Sequence, residues 1–200
     1  MSKKSYSIDT RETLLATALS LFSEMGYDAT SVAQICEQAQ VSKGAFYYHF
    51  PSKQDLFLSL MTQWLTKMRT NFLAEARNAD DVPAALENMA AISGQIFSEL
   101  DSGFPILLEF WRQASRDPLI WEQAVSPYKE YLELFAGMIQ TAKEEGSFSD
   151  TLDPHLAARV VTALAMGLLL QASFDEGNVD WQQVTVSGIK ILIEGMKKNQ

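Results

Sequence analysis

Apolar residues recur along this chain at spacings of three and four nearly throughout, and no segment alternates with the period of two that a half-buried strand requires. Leu14, Leu15, Ala18, Leu21, Phe22 and Met25 mark the inward face of a first helix from about Thr10 to Met25. Asp9 and Glu12 make a capping-box pattern at its start, and Gly26 stops it. Val32, Ile35 and Cys36 predict a short helix over 31–39, capped by Thr30 or Ser31, with Gln34 three residues after Ser31. Phe46 and Phe50, one turn apart, predict another over 42–49, and Pro51 ends it by disfavouring helical geometry at Phe50. Ser52 caps a long fourth helix, with Asp55 in its first turn. Leu56, Phe57, Leu60, Met61, Trp64, Leu65, Met68 and Phe72 keep one apolar stripe and carry that helix toward Asn78.

Later stripes predict helices over 84–100, 105–115, 119–145, 154–174 and 181–198. The breaks are Asp80, Asp81 and Pro83, then Asp101-Ser102-Gly103, Asp117-Pro118, residues 146–153 and residues 175–180. The expected fold class is all-α, with about nine helices and short connections. Residues 1–55 form a three-helix domain and residues 56–200 a larger helical one.

The first domain contains a helix-turn-helix pattern. Ala39-Gln40-Val41 joins its two short helices, with Val41 as a hydrophobic plug. With Phe46 and Phe50 inward, Lys43, Gly44, Tyr47 and Tyr48 fall on the other side, the pairs 43/47 and 44/48 each one turn apart. That face suits DNA. Thr30 and Ser42 are hydroxyls at helix N-termini, where free N–H groups favour a phosphate. Gly44 lets the helix approach a groove closely. Tyr47 and His49 can donate to phosphate oxygens, and Tyr48 offers a ring to a thymine methyl or a sugar. Lys43 and Lys53 bring the charge. The bland alternatives are a core role for Val41, Ile35, Cys36, Phe46 and Phe50, and an ordinary surface role for the tyrosines and His49.

Charge changes the picture. The chain carries a net charge of −9. In residues 1–55, five basic groups (Lys3, Lys4, Arg11, Lys43, Lys53) meet six acidic ones (Asp9, Glu12, Glu24, Asp28, Glu37, Asp55), a net of −1 that leaves −8 for residues 56–200. Affinity for DNA must then rest on placed hydroxyls, helix N-termini and two copies, with few cations. Lys3 and Lys4 read either as an arm over the DNA backbone or as a solvated terminus. No run of eighteen apolar residues argues for a membrane span, and Met1–Ser7 lacks the apolar stretch of a signal peptide. The single cysteine, Cys36, cannot make an internal disulfide. A cytoplasmic protein with no membrane partner is expected.

Arg11 to Leu56 resembles the DNA-binding domain of the TetR (tetracycline repressor) family of bacterial transcription regulators. The resemblance is carried by Leu21-Phe22-Ser23-Glu24-Met25-Gly26-Tyr27, Thr30-Ser31-Val32, Ile35, the run from Val41 to Phe50, and Ser52-Lys53. It implies an all-α homodimer whose variable C-terminal domain binds a small ligand and releases the operator. It also implies that Thr30, Ser42, Lys43, Gly44, Tyr47, Tyr48, His49 and Lys53 contact DNA. One position departs: Gln40 stands where the family usually has glycine. If the turn needs φ > 0 there, glutamine costs roughly 1 kcal/mol.

In the second domain Phe97, Phe104, Leu108, Trp111, Tyr131, Phe135, Met166 and Leu170 are candidates for a ligand pocket, and a plain bundle core explains the same residues. The implied effector is a small and largely apolar molecule. Glu109, Arg112 and Gln113 either orient a polar or cationic ligand or are solvated and ion-paired. The segment 110–118 and the turn at 146–153 resemble C-terminal domains of some TetR-family regulators. The last two helices mix small and branched residues. Examples are Ala157, Ala158, Val161, Ala165, Gly167 and Leu168, then Val184, Ser187, Gly188, Ile191, Leu192 and Gly195. A homodimer through a four-helix bundle accounts for this, and so does burial within one chain.

The leading expectation is a ligand-responsive regulator, a repressor released from a palindromic double-stranded operator. An enzyme would have to use His155, Asp153 and Glu144-Glu145, which show no nucleophile–base spacing, metal pattern or phosphate loop. No catalytic residue, metal or cofactor is expected. A third reading is a protein-interaction module acting through the acidic C-terminal helical domain.

Overall fold

The computed structural model describes residues 3–94, 103–175, 177 and 179–198, and of residues 3–8, 103–107 and 113 the backbone alone. Nine helices are defined among the described residues. They are α1 (Lys3–Met25), α2 (Val32–Gln38), α3 (Lys43–His49), α4 (Lys53–Arg77), α5 (Val82–Ala91), α6 (Gly103–Ala114), α7 (Pro118–Glu144), α8 (Pro154–Ala172) and α9 (Trp181–Met196). No strand occurs among the described residues.

Most boundaries follow from caps. Ser31 closes a capping box on α2: its hydroxyl accepts the Gln34 N–H at 3.2 Å, and its own N–H donates to Gln34 Oε1 at 2.9 Å. The side chains of Ser42, Asp81, Asp153 and Asp180 cap α3, α5, α8 and α9 by accepting first-turn N–H groups, without the reciprocal bond. Two hydrogen bonds at Asp153 hold its carboxyl below the usual carboxylate range, the Leu156 N–H foremost.

The first helix departs from expectation. It begins at Lys3, so Asp9 lies inside it and not at its cap; the Asp9 carbonyl accepts from Thr13 Oγ1 at 2.7 Å. Met25, expected inward, is 40% exposed. The helix expected over 84–100 has its first segment end at Ala91, and residues 95–100 lie outside the described ones.

The chain forms two compact units. The division does not fall at residue 55. One unit joins residues 1–66 to residues 105–124; the other holds residues 67–104 and 125–200. The first unit's core explains why. Leu14, Leu15, Ala18, Phe22, Ile35, Phe46, Phe50, Leu56 and Phe57 surround Phe110 and Ala114 of α6, both essentially inaccessible to solvent. The Phe110 ring stacks on Phe57 at 4.2 Å and meets the Tyr27 ring edge-on at 5.5 Å. Residues 105–124 therefore supply core to the N-terminal helices.

The second unit is a helical bundle around Leu86, Met89, Phe135, Ile139, Phe148, Ala158, Val161, Ile189 and Ile193. The small residues of the last two helices divide between inside and outside. Ala157, Ala158, Val161 and Leu168 are buried within the unit. Gly188 allows α9 to approach α8, since a Cβ there would lie 3.1 Å from Leu164 Cδ2. The outer face carries Leu156, Val160, Leu170, Val184 and Ile191, all exposed. By length and composition α8, contrary to expectation, also meets the requirement of a membrane span, as core helices of soluble proteins do too.

Candidate nucleic-acid interface

The turn between α2 and α3 sets the geometry of the site. Gln40 has φ 56°, the single positive-φ residue other than glycine among the described residues. Its N–H donates to the Glu37 carbonyl at 3.1 Å, and the Val41 N–H reaches back to the Cys36 carbonyl at 2.9 Å. These two bonds make a Schellman motif, which closes α2 and turns the chain sharply into α3. Val41 packs against the core as the plug. Glutamine thus occupies a left-handed position that glycine adopts at lower cost. Cys36 lies buried beneath this turn, and burial pushes its thiol up, away from a reactive thiolate.

Phe46 is fully buried and Phe50 nearly so, which fixes the rotation of α3. Lys43 and Gly44 are exposed, and Tyr47 and Tyr48 are 54% and 78% exposed. Tyr47 is braced edge-on against Phe46 at 5.3 Å, and Tyr48 stands edge-on to the half-buried His49 at 5.0 Å. Ser42 Oγ accepts the Ala45 N–H at 3.1 Å, leaving its hydroxyl proton to donate outward. A Cβ added at Gly44 would meet only Ser42 Oγ, at 3.7 Å. Its surroundings within the protein therefore do not require glycine there. The guanidinium of Arg11 lies over the Phe50 ring at 5.3 Å, which places a cation near the end of α3.

Two residues expected to contact DNA are engaged within the protein. Thr30 is 1% exposed, and its hydroxyl donates to the Gly26 carbonyl at 2.8 Å with the Leu21 carbonyl at 3.2 Å. It ties the loop after α1 to that helix and has no hydroxyl to offer outward; Ser31 is the cap. Lys53 is also engaged. Its ammonium donates to the carbonyls of Tyr27 at 2.7 Å and Thr30 at 2.8 Å, and it lies over the Tyr27 ring at 4.3 Å. Burial pushes this lysine below its usual range, while the Asp28 and Glu109 carboxylates oppose the shift. The Tyr27 hydroxyl is pushed up, first by burial and then by the charges of Asp28, Glu109 and Asp55.

Loop 26–30 is held from a second side, by residues the sequence placed near a ligand. Glu109 accepts the N–H groups of Tyr27 at 2.8 Å and Asp28 at 3.0 Å, and Arg112 pairs with Asp28 at 2.9 Å. Trp111, expected to line the ligand pocket, instead packs against the core beneath the helix-turn-helix. Leu108 of the same helix is 39% exposed. Among the other expected pocket residues, Tyr131 and Phe135 share the core of the second unit, where Phe72 meets Tyr131 edge-on at 6.2 Å. Met166 is half-buried and Leu170 37% exposed. Phe97 and the side chain of Phe104 lie outside the described residues.

An all-helical fold with a helix-turn-helix whose second helix presents its polar-aromatic face to solvent defines a DNA-binding transcription regulator. Residues 14–60 match the family model of bacterial regulatory proteins of the tetR family, and residues 98–186 match that of the BetI-type transcriptional repressor C-terminal domain. The chain belongs to the TetR family, a family of transcriptional regulators. It is 21% identical over 187 residues to the HTH-type transcriptional regulator UidR of Escherichia coli (strain K12), covering 94% of this chain and 92% of UidR. Its fold is similar to that of the regulator FadR from Bacillus subtilis in complex with stearoyl-CoA (TM-score 0.79, 18% identity, 92% of this chain and 98% of that one). It is also similar to that of a transcriptional regulator from Saccharomonospora viridis in complex with choline (TM-score 0.77, 22% identity, 96% and 99%).

Proposed function

We propose that this chain is a cytoplasmic repressor that binds a palindromic operator as a homodimer and leaves it when a small molecule enters the second unit. The observation that carries the DNA-reading part is the outer face of α3. Lys43, Gly44, Tyr47 and Tyr48 lie exposed beside the Ser42 cap, while Phe46 and Phe50 on the other side of the helix are buried. Ser42, Lys43, Gly44, Tyr47, Tyr48 and His49 remain the proposed contacts. Dimerisation through α8 and α9 rests on their exposed aliphatic face, which a second copy would bury as a four-helix bundle. It also accounts for the apolar character of α8 without a membrane.

The effector is proposed to be largely apolar. The aromatic cluster of Phe72, Tyr131 and Phe135 supports this, and related folds hold stearoyl-CoA and choline, an acyl chain and a quaternary cation. Helix α4 is continuous from the first unit into the second and is the covalent route for the signal.

An electrophoretic titration of the gene's own upstream DNA tests the reading. Wild type forms a specific complex, and Lys43→Ala or Tyr47→Phe weakens it by about tenfold, the scale of one good contact. With Lys53 occupied inside the protein, the salt dependence is shallow; each phosphate neutralised adds only about 0.9 to the logarithmic slope. No specific complex at low salt overturns the reading.

A further inference from the structure

Loop 26–30 delivers the chain from α1 into the recognition unit, and four of its backbone polar groups are held by side chains from outside the loop. The N–H groups of Tyr27 and Asp28 go to the two carboxylate oxygens of Glu109, one each: Oε2 takes Tyr27 at 2.8 Å and Oε1 takes Asp28 at 3.0 Å. The carbonyls of Tyr27 and Thr30 go to the ammonium of Lys53. One helix therefore takes two of the loop's donors, and another binds two of its acceptors. Gly26 opens the loop with a left-handed backbone at φ 85°, and a Cβ on it would be in ordinary contact with Glu109 Oε2 at 3.4 Å. Phe110, the next residue after Glu109, is locked between Tyr27 and Phe57, so the carboxylate is presented from a fixed base.

We infer that Glu109 is a positioning residue for DNA recognition. By receiving two adjacent N–H groups on one carboxylate it sets the loop ahead of α2, and with it the direction in which α3 points. The inference rests on the DNA-binding reading above and adds to it a specific element, a carboxylate on α6 that reaches the recognition unit without passing through α4. A charged acceptor taking two N–H groups is directional in a way that the surrounding ring packing is not. Displacement of α6 by a fraction of an ångström changes both bonds together. The exposed Arg112–Asp28 pair, open to water, adds little.

The test uses the full-length chain with Glu109→Gln and Arg112→Ala. Glutamine keeps the shape and one acceptor but sets an amide donor against the second N–H. For each folded protein, checked by circular dichroism, affinity is measured for the gene's own upstream DNA and for unrelated DNA of equal length. Amide exchange at Tyr27 and Asp28 is followed in parallel. The expected result for Glu109→Gln is faster exchange at both amides and a fall of about tenfold in the ratio of specific to unrelated affinity, the size of one lost charge-assisted bond, with unrelated binding unchanged. Arg112→Ala leaves the ratio within about twofold of wild type, as for an exposed ion pair. A general loss of stability would lower both affinities together and overturns the inference, as does an unchanged ratio in Glu109→Gln. A wild-type chain with no specific complex overturns the DNA-binding reading and the inference with it, whereas specific binding by wild type with an unaltered variant overturns the inference alone.

Discussion

Two surfaces of this chain leave large apolar side chains in water, and they are built on different plans. On α3 the exposed residues are tyrosines, set beside a lysine and a glycine on a helix of seven residues. On α8 and α9 they are aliphatic, repeating over several turns: Leu156, Val160 and Leu170, then Val184 and Ile191. Tyrosine rings with hydroxyl ends suit a partner that is charged and wet at its edge and stacked within. Aliphatic stripes suit a second apolar helix pair. The comparison teaches that exposure alone does not identify a partner; the chemistry along the exposed face does.

The largest expected effect breaks the second surface. Ile191 is 73% exposed, so Ile191→Glu leaves the protomer folded. Burying an unpaired carboxylate in the dimer raises the dimer dissociation constant by more than about a hundredfold, read by sedimentation equilibrium. Unchanged dimerisation would detach the aliphatic stripe from self-association. A smaller effect separates buried from exposed hydroxyls in the recognition unit. Thr30→Val leaves the Gly26 and Leu21 carbonyls without their donor and lowers unfolding free energy by about 1–2 kcal/mol in denaturant melts. The folded fraction keeps its DNA affinity; lost affinity without lost stability would restore Thr30 to the DNA face. The smallest effect is at the turn. Gln40→Gly relieves the left-handed backbone at φ 56° and stabilises by about 1 kcal/mol, less what glycine adds to the freedom of the unfolded chain.

How much of this was legible in the sequence follows from the range of each interaction. The approximate spans of α2 and α3 and the Val41 plug depend on residues a few positions apart, and the sequence pattern announced them, while the strain at Gln40 was an expectation conditional on the family resemblance. The internal bonds of Thr30 and Lys53 were not legible because their partners lie across the fold. The Thr30 hydroxyl reaches back nine residues to Leu21, and the Lys53 ammonium reaches 26 residues to Tyr27. A hydroxyl beside a helix start looks like a cap whether or not it turns inward. Glu109 acts on residues 81 and 82 positions away, and no periodicity carries that information. The one available signal was the Glu109-Phe110 pair on a helix rich in aromatics, which reads equally as pocket lining. The compact units divide elsewhere than at residue 55 for the same reason, since Phe110 enters the N-terminal core from far along the chain.

The central claim is that α3 meets DNA at its bare face, and Gly44 tests it most directly. Its surroundings are open in the free protein, and alanine is the better helix former, so Gly44→Ala keeps or raises the unfolding temperature. Titration of the gene's own upstream DNA is then expected to show affinity reduced by about tenfold or more, as a methyl group holds α3 off the groove wall. A Gly44→Ala protein that binds this DNA as tightly as wild type would contradict the account.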